Sequence, residues 1–416
     1  MSAYVARQPI LNINEETIGF ELLFRDSLNN SFPHIDPNEA TSKIITQNQL
    51  ILGLEQICQN KLAFVNFHEL SLLNKTPTAL NKDTTVIEIL EDVTVTDDLV
   101  AVCKELFEEG YKLALDDHDF NEKWEVLYPY TEIIKVDISQ LNIIQISKFS
   151  RKLKATYPNI ILLGERVETE HQLRMLKELG FTLFQGFFYA QPEMVEQTGL
   201  STDKIKLLKL ISLMANAEVT FDQVASIIEK EASISFALLR YISSTAFAAG
   251  KDVTTVKHAL TYLGFEEIKK FVALIALANL GAHTNPELHN MAILRSKFCE
   301  FLEDLNNENG PVPRAYLTGL LSLISPIINI PIESIVPKLP IDKTMKIALL
   351  HRKGSLGLYL MICEAYEIGD WDVIASTAAK LGLDKDDIGR VYHEALLWQN
   401  EYLLKDKRER KVSNSN

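Results

Sequence analysis

Two different rhythms of apolar and polar residues divide the chain. Up to about Pro192, short β-rich apolar runs alternate with amphipathic stretches. The runs fall at 62–67, 85–90, 111–116, 133–137, 159–164 and 181–185, with an earlier one around Thr17 to Phe24. Between them the apolar residues switch to helical spacing, as in Asp98 to Glu109, where Leu99, Val102, Cys103 and Leu106 share one face. Strand, helix, strand at this pace predicts βα units and a parallel sheet. The strand count approaches that of a TIM-like barrel, in fewer than the roughly 250 residues which that fold usually takes, so a trimmed barrel is implied.

Beyond Pro192 a polar segment, 193–203, reads as a linker, and the strand signal largely disappears. Thr220-Phe-Asp-Gln223 has capping-box spacing and opens an apolar-periodic run through Val224, Ile227 and Ile228. Helices are predicted over Ser235 to Ala248 and Thr255 to Leu263, the latter stopped by Gly264. Glu266 to Leu280 is apolar on most sides and belongs at the centre of a helical bundle. The expected architecture is an α/β TIM-like barrel over 1–195, an all-α domain over 200–400 and a polar tail over 401–416. The tail's charged run, Lys405-Asp-Lys-Arg-Glu-Arg-Lys411, reads as a solvated, fraying end.

Composition narrows the function classes. Of 416 residues, 47% are hydrophobic and 24% charged, as in an ordinary globular protein. Forty-two basic against 56 acidic side chains give a net charge of −14, which argues against DNA as a partner. It leaves room for a nucleotide bound through a divalent metal on clustered carboxylates. The four cysteines, Cys58, Cys103, Cys299 and Cys363, have no zinc spacing and make no disulfide framework, so reduced thiols in a cytoplasmic protein are expected. No export signal is visible at the N-terminus, and the longest uncharged stretch, Ala315 to Ile332, is interrupted by Pro326 and Pro331, so no membrane insertion is expected.

The informative polar residues lie where the apolar runs end: Glu21, Asn66, Glu88, Asp116 with Asp117, Lys135, Glu165 and Gln185. Any loop can supply one such residue. Their recurrence at every strand end matches the way barrel enzymes gather groups from several strands at one face. Carboxylate and amide oxygens of this kind suit one or two Mg²⁺ or Mn²⁺ ions, which could clamp the oxygens of a phosphodiester displacement.

These motifs resemble an EAL domain, the fold of cyclic di-GMP phosphodiesterases and receptors. Gln8-Pro9-Ile10 followed by Gly19-Phe-Glu-Leu-Leu-Phe-Arg25 is similar to the family's ExLxR signature, and Val65-Asn66 to its asparagine strand. Glu88-Ile-Leu-Glu91 resembles ExxE, Asp116-Asp117 the paired aspartates, and Lys135-Val-Asp137 the KxD strand. Glu165-Arg-Val-Glu168 corresponds to EGVE, and Gln185-Gly186 with Pro192 to QGxxxxxP. The resemblance implies that Glu21, Asn66, Glu88 and Asp116 ligate one metal and Asp117 a second. It makes Glu165 the general base and gives Lys135 a metal-bound water or the phosphate. Gln8 and Arg25 would contact the dinucleotide, Glu168 and Gln185 would complete the wall, and Glu91 would anchor the loop after the aspartates.

Two positions depart from the pattern. Leu22 stands where the family usually has Ala, and DDFGTG becomes Asp116-Asp-His-Asp-Phe-Asn121, without the glycines that give that loop its freedom. His118 and Asp119 read as a solvated loop pair rather than substitute ligands. The implied activity is metal-dependent hydrolysis of cyclic di-GMP to linear pGpG; the alternative is a non-catalytic receptor or scaffold.

The second half resembles an HDOD domain, a helical output module related to HD phosphohydrolases without their metal site. Ala237 to Phe247 is similar to its hallmark helix end, and Ala259-Leu-Thr-Tyr-Leu-Gly264 to the helix that follows. The position of an HD pair falls at Ser322-Leu323, and His258, His283, His289, His351 and His393 form no metal-like cluster in sequence. The resemblance implies a protein partner for this domain, and because in the EAL family the loop after the aspartates supports the dimer contact, it leaves a homodimer open.

Overall fold

The computed structural model describes residues 5–24, 56–139, 142–187, 202–216, 218–230, 238, 263–280, 284–307 and 313–413. It divides into two compact units, the first Met1–Gln191 with Tyr366–Trp371 and the second Pro192–Ala365 with Asp372–Asn416.

The first unit is a closed barrel of eight strands in chain order: β1 (Val5–Asn12), β2 (Thr17–Phe24), β3 (Leu62–Phe67), β4 (Thr85–Ile89), β5 (Lys112–Leu115), β6 (Ile133–Asp137), β7 (Ile161–Glu165) and β8 (Leu183–Phe184). Helices α1 (Glu69–Leu73), α2 (Asp97–Glu108), α3 (Ile143–Thr156) and α4 (Glu170–Glu178) supply crossovers. The expected TIM-like barrel followed by a helical domain is the architecture observed. The sheet is not wholly parallel, however: β1, which the apolar runs did not announce, pairs antiparallel with both β2 and β8. Pro9 argues against a central strand at this point, yet it lies beyond Leu11 and Asn12, the two residues that pair with β8.

Strand periodicity builds the interior in two layers. Ile10, Phe64, Val86, Ala114, Ile133, Leu163 and Leu183 form one buried apolar plug. On the second strand the corresponding place is taken by Gly19, where a Cβ would lie 2.7 Å from Leu62 O and 2.9 Å from Phe64 Cε2. Because alternate residues of a strand share a face, the next inward positions are Glu21, Asn66, Glu88, Asp116, Lys135, Glu165 and Gln185. On β1, which runs the other way, the next inward position is Gln8. The apolar plug thus becomes the floor of a polar ring, and each buried Val, Leu, Ile or Phe side chain in it contributes about 1.5–3 kcal/mol.

Among its described residues the second unit consists of helices and the turns between them, without a strand. Its principal helices are α5 (Thr202–Met214), α6 (Phe221–Lys230), α7 (Phe265–Leu280), α8 (Pro286–Leu305), α9 (Arg314–Leu321), α10 (Gly354–Ile368) and α11 (Lys385–Ser413). The predicted capping box at α6 is present, with Gln223 N donating to Thr220 Oγ1 and Thr220 N to Gln223 Oε1. As its apolar circumference predicts, α7 is buried along most of its length, from Ile268 to Leu280. The linker at 193–201, Pro192 and most of the two helices predicted within 235–263 lie outside the described residues. The end of the chain differs from expectation: the backbone of the presumed fraying tail continues α11 to Ser413. Among the described residues, no helix is long and apolar enough to cross a membrane.

Candidate functional site

At the C-terminal end of the barrel the polar ring closes on one cation. Lys135 is fully buried, and its Nζ lies 3.3 Å from Glu21 Oε2, 2.7 Å from Glu88 Oε1, 2.7 Å from Asp116 Oδ1 and 2.8 Å from Glu165 Oε1. Side-chain amides complete the ring. Asn66 Nδ2 donates to Glu21 Oε1 at 3.2 Å, and Gln185 Nε2 donates to Glu21 Oε2 at 2.7 Å and to Gln8 Oε1 at 2.6 Å. Residues on six strands, with Asp116 and Gln185 immediately after β5 and β8, therefore meet within one hydrogen-bonded and ion-paired cluster.

Its charges do not balance. Burial drives the Glu88 and Glu165 carboxyls well above the ordinary carboxylate range, even against the pull of Lys135. Burial likewise pushes Asp116 up to about 6. Glu21 is the exception. Burial would raise it, but the Lys135 ammonium and the Gln185 and Asn66 hydrogen bonds together hold it below its usual value. Burial also opposes the charge on Lys135, yet the four surrounding carboxylates keep it a firm ammonium. One ammonium cannot offset four ionised carboxylates, so Glu88 and Glu165 favour their protonated form, and the ring is short of the positive charge that full ionisation would need.

That shortage bears on metal binding. Among the described residues, no three His, Cys, Asp or Glu side chains are arranged as ligands of one ion; the carboxylates close on Lys135 instead. Even so, the donor set fits a hard cation. It is made wholly of carboxylate and amide oxygens, and three of them, Asn66 Oδ1, Glu88 Oε2 and Gln185 Oε1, are buried without a hydrogen-bond partner.

The remaining expected residues stand outside the ring. Asp117 is half-buried with a left-handed φ of 38°. Glu168 is exposed, and its backbone N–H donates to Gln172 Oε1. Glu91 is exposed and meets the turn after the aspartate loop through its carbonyl, which accepts from Lys123 Nζ at 3.4 Å. Arg25 lies outside the described residues.

His118 is a correction. It is 1% exposed rather than solvated, and burial pushes its imidazole down to about 4. Its ring packs against Phe149, Phe120, Tyr128 and Trp124 at centroid distances of 5.0 to 6.1 Å. Nδ1 accepts from Phe120 N at 3.0 Å, and Nε2 lies 3.1 Å from the Tyr128 hydroxyl. Its own backbone N–H donates to the carbonyl of Lys135 at 3.0 Å. Asp119 is exposed as expected, though it accepts from Trp124 Nε1 and Asn121 N. The loop without glycines is thus folded around an aromatic box, with Asp117 and Phe120 both at positive φ. The close run of Phe120, Trp124 and Tyr128 after His118 was the available signal.

In the helical unit, Ser322, at the position of an HD pair, is buried. Its Oγ accepts from Arg295 Nη1 at 3.1 Å and donates to Gly319 O at 2.7 Å. His289 is half-buried, and that partial burial pulls its imidazole down, while His258 and His283 lie outside the described residues.

Comparison with known proteins adds a family. The HDOD domain model matches residues 201–333. The chain is 33% identical over 401 residues to the cyclic di-GMP phosphodiesterase CdgJ of Vibrio cholerae, covering 96% of this chain and 93% of that protein. It is 32% identical to the uncharacterized protein YuxH of Bacillus subtilis, covering 96% and 98%. Among solved structures, Klebsiella pneumoniae BlrP1 with calcium and cyclic di-GMP is 22% identical, with a TM-score of 0.36 over 46% of this chain and 56% of that one. A standalone EAL protein of Vibrio cholerae with cyclic di-GMP is 22% identical, with a TM-score of 0.35 over 46% and 92%.

Proposed function

The chain belongs to the family that contains CdgJ and YuxH, and from that premise we propose that it is a cyclic di-GMP phosphodiesterase with an HDOD output domain. The observation that carries this reading is the ring at the barrel mouth, four buried carboxylates around Lys135 flanked by amide oxygens. Glu21, Asn66, Glu88 and Asp116 would hold one Mg²⁺ or Mn²⁺, with Asp117 the candidate for a second. When bound, such a metal supplies positive charge for the diester and acidifies a water.

The chain's own groups do the rest. Glu165 takes the proton of the attacking water at its carboxylate; a carboxyl drawn above its ordinary range is the stronger base once ionised. Lys135 Nζ, fixed by its four contacts, balances charge that builds on the phosphoryl oxygens. Gln185 and Asn66 orient Glu21, and Gln185 also holds Gln8 toward the ring, where the dinucleotide would meet it. Opening one diester gives linear pGpG. The helical half then relays occupancy of the barrel to a protein partner.

A receptor that binds without cutting is the second reading, and Asp117 is the observation that favours it. This residue stays out of the ring on a loop pinned by the buried His118. The test is chromatography of cyclic di-GMP incubated with the protein and Mg²⁺ or Mn²⁺, beside Glu165→Ala. Linear product from the parent alone supports the enzyme. Intact nucleotide with measurable binding supports the receptor, and absence of binding removes both.

A further inference from the structure

Asp137 lies two residues beyond Lys135 on β6, so it shares the inward face one step nearer the mouth. It sits opposite Glu165 in the β6–β7 register. Its side chain is 4% exposed, and its Oδ1 accepts from both Ser139 N and Ser139 Oγ, at 2.8 and 2.7 Å. Its Oδ2 faces Arg166 Nη1 at 3.3 Å. Arg166 follows Glu165 directly, and its side chain is 59% exposed. One edge of the guanidinium is therefore tied to a fixed, buried carboxylate at the rim, while most of the side chain faces solvent.

The backbone at this residue is unusual. Arg166 has φ 53°, in the left-handed region where an L side chain costs on the order of 1 kcal/mol and glycine costs little. Glycine is also what the EGVE pattern places there. An arginine whose only task was solubility would have no reason to occupy such a position. The ligand chemistry supplies one. A cyclic dinucleotide carries two phosphodiester charges and must approach a ring containing four carboxylates, whose one ammonium is fully buried. A planar guanidinium has five N–H donors, enough to keep Asp137 on one side and present others to a phosphate.

We propose that Arg166, positioned by Asp137, is the anion-receiving residue of the barrel mouth and binds a phosphodiester of the cyclic dinucleotide. This rests on the reading of the site as a cyclic di-GMP site. The test is calorimetric titration of cyclic di-GMP into the full-length parent, Arg166→Gly, Arg166→Gln and Arg166→Lys proteins, each at two KCl concentrations. Loss of a charge-assisted contact should weaken binding by about tenfold or more in the Gly and Gln variants. Lys should recover part of the loss. The parent's affinity should fall more steeply with salt than that of the Gly and Gln variants. Thermal melting should show Arg166→Gly at least as stable as the parent, which separates lost binding from lost fold. Equal affinity of the parent and both uncharged variants would overturn the assignment while leaving the site's function intact. A parent that binds no cyclic di-GMP would overturn the assignment together with the reading beneath it.

Discussion

Lys135 concentrates the electrostatics of the barrel on one nitrogen, and its removal should expose what it compensates. Replacing it with Met keeps the length but leaves four buried carboxylates facing one another. Breaking buried pairs of this kind costs about 3–5 kcal/mol, so Lys135→Met should lose stability of that order in urea unfolding at neutral pH with EDTA present. Adding Mg²⁺ should narrow the gap between variant and parent, because a divalent ion supplies the missing charge to the same oxygens. A gap indifferent to Mg²⁺ would separate the ring from metal binding. Thiols give an independent check at this scale. Burial pushes Cys58 and Cys103 up to about 12, so the neutral thiol, not the thiolate, persists in the folded protein until the pH approaches that value. In the unfolded chain both ionise near the ordinary value of about 8.5. Iodoacetamide at pH 9 should therefore label them slowly in the native protein and rapidly in urea; fast native labelling would contradict their burial.

At the scale of elements, the loop from Asp116 to Asn121 sets the question of catalysis. Asp117 adopts φ 38° without being glycine, so Asp117→Gly relieves backbone strain and should hold or slightly raise the melting temperature. If Asp117 serves a second metal, hydrolysis should nevertheless fall by about tenfold or more, the scale on which single electrostatic groups act in catalysis. Retained turnover would confine the reaction to the ring itself. The opposite case is Gly186, whose added Cβ would lie 2.2 Å from Val167 O. Gly186→Ala must displace the backbone that carries Val167 and Gln185, which are joined by a 3.0 Å bond from Val167 N to Gln185 O. A loss of about 1–3 kcal/mol is expected from such overpacking, read by denaturant unfolding. The elements show what a sequence can reveal. Strand ends from Glu21 to Gln185 were legible because period-two alternation carries one polar residue past the apolar plug on each strand. β1 was not, since Pro9 interrupts its run and its direction depends on pairing with β2 and β8. The burial of His118 also escaped, because one wall of its box, Phe149, comes from α3, distant in the chain.

At the scale of the whole molecule, the change from period-two strands to helical spacing near Pro192 marked the change of unit. The backbone of α11 runs on through the charged stretch that sequence alone suggested as a polar tail, because lysine and arginine are as good helix formers as tail residues. The proposed relay from barrel to HDOD domain demands coupling that can be measured. If cyclic di-GMP binding biases the helical unit, amide exchange in α8, α9 and α10 must change when ligand fills the barrel, although none of these helices carries a ring residue. Coupling energies of about 1–3 kcal/mol, the ordinary range for linked sites, would slow or speed exchange about 5- to 150-fold in amides that open by the affected motion. Glu21→Ala should abolish the change along with ligand binding. Arg166→Gly should retain it once ligand is raised to saturation, because that substitution weakens occupancy and leaves the sequence of the helical unit unchanged. A barrel saturated with nucleotide while every amide beyond residue 200 exchanges as before would leave the two units as independent modules on one chain, and the relay would be discarded even with the phosphodiesterase intact.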